Sequence, residues 1–309
     1  MTEKGRLSVI GLGPGKREYF TLRGLQALEE SEVIIGYERY TRLVRDFWPG
    51  RKVLSSGMRK ELARCREALS LAREGKRVAL ICGGDPGIYG LAGPALELLL
   101  REKEHEENPT GTKTETRTGT NTGTKTETGT GTTSRIDTET EAGIKAGTDT
   151  GSETGTETGT EIEIEIVPGL SAVSAAASIL GAPLMNDMAI ISLSDLLTPW
   201  PVIEKRLKAA AEADFVTALY NPKSIKRTSQ ILETQAIFLQ FRSPDTPVGV
   251  VHNALRDEEE RKIITTLQEF TKEEITMLSL VIIGNSQTRT IRGKIITPRG
   301  YERVYDLGK

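Results

Sequence analysis

Cysteine, histidine and long apolar runs are scarce in this sequence, and each scarcity excludes a class of protein. Two of the 309 residues are cysteine, Cys65 and Cys82, and two are histidine, His105 and His252. That supply is too small for a disulfide framework or for a zinc site built from cysteine or histidine side chains. The sequence therefore predicts reduced cysteines and no resident metal ion.

No stretch of the sequence is long and apolar enough to span a bilayer, and the first residues are charged rather than apolar. The formal net charge is −2, which provides no overall attraction to nucleic acid or to an anionic membrane. We therefore expect a cytoplasmic protein that binds neither nucleic acid nor membrane.

Short apolar segments alternate with helix-like segments along the chain. The strands predicted in the first half cover 7–10, 33–36, 77–82 and 162–167. Those predicted in the second half cover 189–193, 215–219, 248–251 and 280–283, and a helix is expected from about 271. Such alternation is typical of parallel βαβ units in a doubly wound sheet. The sequence predicts an α/β fold with two α/β domains, at 1–183 and 184–309.

A repetitive tract interrupts the first of these domains. Between 108 and 160 the sequence repeats Thr-Gly-Thr-Glu and near variants, with almost no large apolar residue. A segment so poor in apolar side chains cannot offset the entropy lost on ordering, which predicts a disordered insertion. The alternative, an exposed threonine-rich β-repeat, lacks a recognisable buried face.

Three glycine-containing loops follow predicted strands of the first half. They are Gly-Leu-Gly-Pro-Gly at 11–15, Gly-Gly-Asp-Pro-Gly-Ile-Tyr-Gly at 83–90 and Pro-Gly-Leu-Ser-Ala at 168–172. Because parallel strands point the same way, all three loops should lie at one edge of the sheet, where open α/β sheets bind ligands. The second loop alone could equally be an ordinary strand-to-helix turn with a solvated Asp85.

The loops do not match the usual phosphate-binding patterns. Pro14 stands where a dinucleotide fingerprint needs a main-chain N–H, and Lys16 is not part of a Gly-Lys-Ser/Thr sequence. What remains is a cleft of small residues and main-chain groups with Asp85 as its anion. That combination suits a cationic, partly apolar ligand better than a phosphate.

Two stretches of the second half extend this pattern, Ser-Leu-Ser-Asp-Leu-Leu-Thr-Pro-Trp at 192–200 and Tyr-Asn-Pro-Lys-Ser at 220–224. Together with the three loops, in this order, they resemble the tetrapyrrole (corrin/porphyrin) methyltransferases. The two second-half stretches resemble the precorrin-3B C17-methyltransferase branch, which includes the cobalt-precorrin-3 enzymes. The resemblance covers the chain outside 108–160.

The resemblance implies a homodimer in which each subunit binds S-adenosyl-L-methionine in a cleft between its two domains. The positions that match the family's cofactor contacts are Pro14, Gly83, Gly84, Asp85, Ile88, Ser171, Ala172, Asn221 and Ala254. Asp85 would accept hydrogen bonds from a ribose hydroxyl or from the methionine amino group.

The implied reaction is methylation of a tetrapyrrole at C17 with ring contraction, a step of cobalamin biosynthesis. Ring contraction requires proton transfer, and the titratable candidates are Asp85, Tyr89 and His252. His252 could instead be a hydrogen-bonded structural histidine. The substrate carries many carboxylates, and the candidates to bind them are Arg59, Lys223, Lys226 and Arg227. Each of these cations could equally be a solvated surface charge.

Two other functions remain open from the sequence. One is a methylase of the same superfamily that acts at another corrin position or, like diphthine synthase, on a protein. The other is a non-catalytic cofactor-binding or regulatory module with the 108–160 tract as an interaction tail. Whether the macrocycle already carries cobalt is also undecided.

Overall fold

The computed structural model describes residues 4–45, 47–107, 162–256 and 260–306, with 105–107 described by their backbone. The predicted disordered insertion at 108–160 lies outside the described residues. Residues 1–99 and 161–309 group into one compact unit. Of the second unit, 100–160, the structure describes the end of one helix.

The first sheet is parallel throughout, as the sequence predicts. Its strands are β1 (Arg6–Gly11), β2 (Val33–Tyr37), β3 (Lys52–Ser56), β4 (Arg77–Cys82) and β5 (Glu163–Val167). They lie in the order β3-β2-β4-β1-β5, and every neighbouring pair is parallel. The carboxyl ends of β4, β1 and β5 are therefore adjacent, which brings the three glycine-containing loops to one edge.

Helices accompany this sheet and bury both of its faces. They are α1 (Leu22–Glu30), α2 (Glu38–Arg45), α3 (Glu61–Arg73) and α4 (Ala92–Glu107), whereas α5 (Ala172–Leu180), which follows β5, packs elsewhere. In β1, Leu7 and Val9 pack with residues of α3 on one face, whereas Ile10 packs with residues of α1 on the other. Thr21 begins α1 as an N-cap, because its Oγ1 accepts a hydrogen bond from the Gly24 N–H at 3.0 Å.

The helix α5 packs against the second half of the chain. Its buried residues Val173, Ala176 and Leu180 share a core with Val216 and Ile282. The helix ends at Gly181, whose φ of 126° is accessible to glycine. Because α5 lies before the predicted boundary at 183/184 but packs on strands that follow it, the division into two domains stays a prediction.

The second sheet is mixed. Its strands are β7 (Met188–Ser192), β8 (Val216–Tyr220), β9 (Pro247–His252), β10 (Arg261–Thr266) and β11 (Ser279–Ile283). They lie in the order β10-β9-β11-β8-β7, with β7 and β8 parallel and the other pairs antiparallel. The remaining elements are α6 (Trp200–Glu212), α7 (Gln230–Leu239) and a small sheet of β6 (Gly181–Ala182), β12 (Arg289–Ile291) and β13 (Lys294–Ile296).

The helix predicted from about 271 is wrong. The structure has a single 3-10 turn at Phe270–Lys272, preceded by the strand β10. The segment 263–266, Ile-Ile-Thr-Thr, is β-branched at every position and pairs with β9, while Phe270 is fully buried in the core behind the sheet. Both β10 and β11 pair antiparallel with β9.

The sequence pattern also does not predict α2 and β3. The helix α2 has two buried residues, Thr41 and Val44, and β3 is a half-exposed strand at the edge of the sheet. Both elements are short, with Tyr40, Leu43 and Val44 as the apolar residues of α2 and Val53 and Leu54 as those of β3, so neither stands out in the sequence. In the described stretches, no helix combines the length and apolar character that a bilayer crossing needs.

Candidate functional site

The loops after β1 and β4 are joined by main-chain hydrogen bonds. The Gly13 N–H donates to the Gly84 carbonyl at 3.1 Å, and the Gly84 N–H donates to the Gly13 carbonyl at 2.8 Å. Gly13 has a φ of 59° and Gly84 a φ of 68°, values that glycine adopts without a steric penalty. These two glycines therefore fix the position of the two loops relative to each other.

Asp85 connects the same pair of loops to the third one. Its Oδ1 accepts a hydrogen bond from the Gly87 N–H at 2.8 Å, and its Oδ2 accepts one from the Gly169 N–H at 3.1 Å. A Cβ on Gly169 would collide with the Gly84 carbonyl oxygen and lie 2.5 Å from the Gly11 carbonyl oxygen. The wall that the first half contributes is therefore made mainly of closely packed main chain.

Residues at the ends of β8 and β9 face this wall. Asn221 follows β8 and Asn253 is the first residue after β9, and both have a positive φ, of 49° and 45°. Asparagine is one of the few residues that adopt this backbone conformation readily. The Asn221 side-chain amide donates to the Ser192 hydroxyl at 2.9 Å, so the loops after β7 and β8 are also joined.

The residues just before β11 complete the second wall. Because β11 runs antiparallel to β8 and β9, its first residue rather than its last lies beside their carboxyl ends, as the pairing of Ser279 with His252 shows. Residues 277–280 accordingly line the site. This segment precedes a strand, whereas the loops predicted from the sequence follow strands, so it was not predicted.

The two walls enclose a cavity of about 230 Å³. Eight of the nine predicted cofactor-binding residues line it, namely Pro14, Gly83, Gly84, Asp85, Ile88, Ala172, Asn221 and Ala254. Ser171 is not among the lining residues. It is buried and caps α5, where its hydroxyl accepts a hydrogen bond from the Ser174 N–H at 3.3 Å.

Tyr89, a predicted catalytic residue, lines the cavity and also binds the second half. Its hydroxyl donates to the Ile190 carbonyl at 3.1 Å and accepts from the Ser192 N–H at 3.1 Å, both on β7. Burial raises the pKa of this hydroxyl above its ordinary value, which outweighs the opposite effect of the Ser192 N–H. The Tyr89 hydroxyl is therefore neutral near pH 7 and is held by main-chain groups.

Tyr220 makes the reciprocal contact. It ends β8 in the second half, and its hydroxyl accepts a hydrogen bond from the Val173 N–H in the first turn of α5 at 3.0 Å. Burial raises its pKa as well. The rings of Tyr89 and Tyr220 lie with their centroids 5.2 Å apart, and both line the cavity. Each half of the chain thus contributes one tyrosine hydroxyl that is hydrogen-bonded to the main chain of the other half.

His252 does not line the cavity. Its ring is 3% exposed at the end of β9, and its Nδ1 lies 2.9 Å from the Ser279 hydroxyl. Burial, and next the positive charge of Arg261, lower the pKa of the imidazole below its ordinary value. The neighbouring residues Val251, Asn253 and Ser279 do line the cavity, so His252 supports the second wall from behind.

The four cations predicted to bind substrate carboxylates lie outside the cavity lining. Arg227 is buried, and its guanidinium donates to the Asn221 carbonyl at 2.7 Å, so it braces the loop that carries Asn221. Arg59, Lys223 and Lys226 also do not contribute to the lining. Arg256, which the sequence argument does not select, is the cation that does.

Several other residues that line the cavity were also not predicted from the sequence. Tyr40 belongs to the unpredicted helix α2, and its ring lies so close to Gly83 that a Cβ there would be 2.6 Å from it. Asn253 and Arg256 follow the same strand as the predicted Ala254, and an asparagine directly after a strand is the signal that could have indicated them. In the described part of the chain, no group of three or more His, Cys, Asp or Glu side chains could hold a metal ion.

The family model for Tetrapyrrole (Corrin/Porphyrin) Methylases matches residues 6–108 and 148–271. This chain belongs to that family. The resemblance found in the sequence motifs is thereby confirmed.

The similarity to individual tetrapyrrole methylases extends over nearly the whole chain. The cobalt-factor III methyltransferase of Priestia megaterium is 42% identical over 306 residues, which cover 99% of this chain and 47% of that protein. The probable cobalt-factor III C(17)-methyltransferase of Salmonella typhimurium is 40% identical over 295 residues, 96% of this chain and 99% of that protein. The chain thus spans about half of the first relative and nearly all of the second.

Among solved structures, the methyltransferase CobJ has the same fold. Its crystal structure superimposes with a TM-score of 0.73 at 29% sequence identity, and the match covers 95% of this chain and 100% of CobJ. The α/β fold of the tetrapyrrole methylase type, predicted from the sequence, is confirmed.

Proposed function

We propose that this chain transfers a methyl group from S-adenosyl-L-methionine to C17 of a cobalt-factor III or precorrin-3B macrocycle, with ring contraction, in cobalamin biosynthesis. The observation that carries this proposal is the cavity between the two walls, in which eight residues predicted to contact the cofactor lie together. The names and identities of the Priestia and Salmonella relatives support the choice of substrate.

The residues present fit S-adenosyl-L-methionine. The cofactor would bring a methyl group activated by a sulfonium cation. Glycines 83 and 84 and the small side chains of Ala172 and Ala254 allow close approach, and Asp85 supplies the negative charge that the cationic groups need. Main-chain carbonyls and apolar side chains such as Ile88 suit a sulfonium better than they suit a phosphate.

Methyl transfer from a sulfonium needs the attacking carbon in line with the breaking bond, so the protein contributes mainly alignment. Cofactor and macrocycle must be held by walls whose relative position is fixed. The hydroxyls of Tyr89 and Tyr220 fix it, because each bonds to main-chain groups of the opposite half.

The proton transfers of ring contraction need a group that reaches the cavity. Asp85 and Tyr89 line it and stay the candidates, whereas His252 lies behind the second wall. Since the Asp85 oxygens and the Tyr89 hydroxyl are also bound to main-chain groups, a proton exchanged there would disturb hydrogen bonds that hold the walls together.

The decisive experiment is mass spectrometry of the product made from purified protein, methyl-labelled S-adenosyl-L-methionine and either cobalt-factor III or metal-free precorrin-3B. The expected result is the gain of one labelled methyl group at C17, and the preferred substrate decides the cobalt question. Transfer to neither substrate would overturn the proposal, and S-adenosylhomocysteine binding retained in calorimetry would then favour the non-catalytic cofactor-binding module. A homodimer and a cytoplasmic location stay predictions, the first testable by light scattering after size exclusion.

A further inference from the structure

Arg256 is the one cationic side chain among the described residues that line the cavity. It closes a tight turn after β9, in which Asn253 and Leu255 have positive φ values of 45° and 60° and the Arg256 N–H donates to the Asn253 carbonyl at 2.9 Å. The Leu255 N–H is bound by the Glu260 carboxylate at 2.8 Å. Left-handed backbone at non-glycine residues costs free energy and is concentrated at ligand sites.

The surroundings of Arg256 differ from those of the two arginines Arg227 and Arg242, which are buried in the second half. Arg227 donates to the Asn221 carbonyl, and Arg242 donates to main-chain carbonyls, including that of Phe215 at 2.6 Å. Within the described residues, the half-buried guanidinium of Arg256 has neither an ion pair nor a side-chain hydrogen bond. It shares its wall with apolar side chains such as Met277, where a partly desolvated charge is costly without a partner.

The opposite wall carries the complementary charge. Asp85 is the one carboxylate among the lining residues, and it belongs to the first half, whereas Arg256 belongs to the second. A cavity with a single anion on one wall and a single cation on the other suits a ligand that carries both charges. The planar guanidinium suits a carboxylate in particular, because two parallel N–H groups can bind its two oxygens.

We propose that Arg256 binds a carboxylate of the ligand in this cavity, a proposal that rests on the function proposed above. The carboxylate has two chemical sources, the amino-acid end of S-adenosyl-L-methionine and the acidic side chains of the macrocycle. Arg256 takes the place of the four cations expected from the sequence, none of which lines the cavity.

The test compares Arg256→Gln and Arg256→Lys with the wild-type protein. Calorimetry measures the affinity for S-adenosylhomocysteine and for methylthioadenosine, which lacks the amino-acid end, and steady-state kinetics gives KM for the macrocycle. If Arg256 binds the cofactor carboxylate, the Arg256→Gln variant binds S-adenosylhomocysteine about 10- to 100-fold more weakly than the wild type, and its affinity for methylthioadenosine is unchanged. If it binds the macrocycle, KM rises by a similar factor and both nucleoside affinities stay the same. Arg256→Lys should keep part of the affinity in either case.

The control is Arg261→Gln, which removes a nearby exposed cation whose guanidinium lies 2.9 Å from Glu274 and does not line the cavity. This variant should have affinities and a KM within about twofold of the wild-type values, since exposed ion pairs contribute little to the stability of the folded protein. Three results would overturn the proposal. They are unchanged affinities and KM in Arg256→Gln, an equal loss of affinity for both nucleosides in that variant, or the same loss of affinity or rise in KM in Arg261→Gln. If the wild-type protein bound neither S-adenosylhomocysteine nor the macrocycle, the proposed function and this role would both fail.

Discussion

The two walls of the cavity are built in different ways. The wall of the first half consists of glycine loops whose main chains touch, so positions such as Gly11 and Gly169 leave no room for a Cβ. The wall of the second half consists mainly of side chains. Two of the residues that contribute to it, Asn221 and Asn253, have a left-handed backbone conformation. Backbone geometry fixes the first wall, whereas the second can change by substitution of its side chains.

The largest effect should come from a side chain placed in the first wall. Gly169→Ala puts a methyl group against the Gly84 and Gly11 carbonyl oxygens, so the loops must separate. We expect a loss of about 3 kcal/mol in the free energy of unfolding and S-adenosylhomocysteine binding too weak for calorimetry. Urea denaturation and calorimetry measure both quantities. The matched control is Gly93→Ala in α4, where a Cβ meets nothing within 4 Å; an equal loss there would contradict the explanation.

The next largest effect should come from Asp85. Asp85→Ala removes the acceptor of two main-chain N–H groups, those of Gly87 and Gly169, and the anion of the cavity. We expect the affinity for S-adenosylhomocysteine to fall about 10- to 100-fold while the protein stays folded by circular dichroism. The exposed Asp245→Ala tests for a general effect of lost charge. Unchanged affinity in Asp85→Ala would refute the role assigned to this carboxylate.

A smaller effect should come from the contacts that join the walls. Tyr89→Phe and Tyr220→Phe each remove a hydroxyl that binds the opposite half and keep the ring. Each should cost about 1 kcal/mol in the free energy of unfolding and lower kcat more than cofactor affinity, because alignment suffers before binding. Since both hydroxyls join the same two halves, the double variant should depart from additivity by at least about 0.5 kcal/mol. Strict additivity, with kcat unaffected, would show that the tyrosines do not act together.

The smallest effect should be a dependence of the free energy of unfolding on pH that arises from His252, behind the second wall. Because burial lowers the pKa of His252, the unfolded chain binds a proton at a pH at which the folded protein does not. The free energy of unfolding should therefore be unaffected above about 6.5 and decrease as the pH falls through the folded-state pKa. Urea denaturation at pH 7.5 and pH 5 should show a larger decrease for the wild type than for His252→Asn. Equal decreases would contradict this assignment.

The sequence predicts that the three loops of the first wall lie at one edge of the sheet, because the signal for each loop is local. A strand followed by glycines and Asp85 specifies a loop at the carboxyl edge, and parallel pairing then brings three such loops together. The second wall depends on sheet order, since β11 contributes its first residues only because it runs antiparallel to β8 and β9. That pairing is non-local, so Met277 could not be identified from the periodicity around it.

The contact between Tyr89 and β7 has a consequence for the state of association of the protein. β7 is the edge strand of the second sheet, and an edge strand presents main-chain N–H and C=O groups to which a strand of another molecule can bind. The Tyr89 hydroxyl occupies one such pair, the Ser192 N–H and the Ile190 carbonyl. The residue proposed to align the two walls therefore also occupies main-chain groups that a strand of another molecule would need in order to pair at this edge.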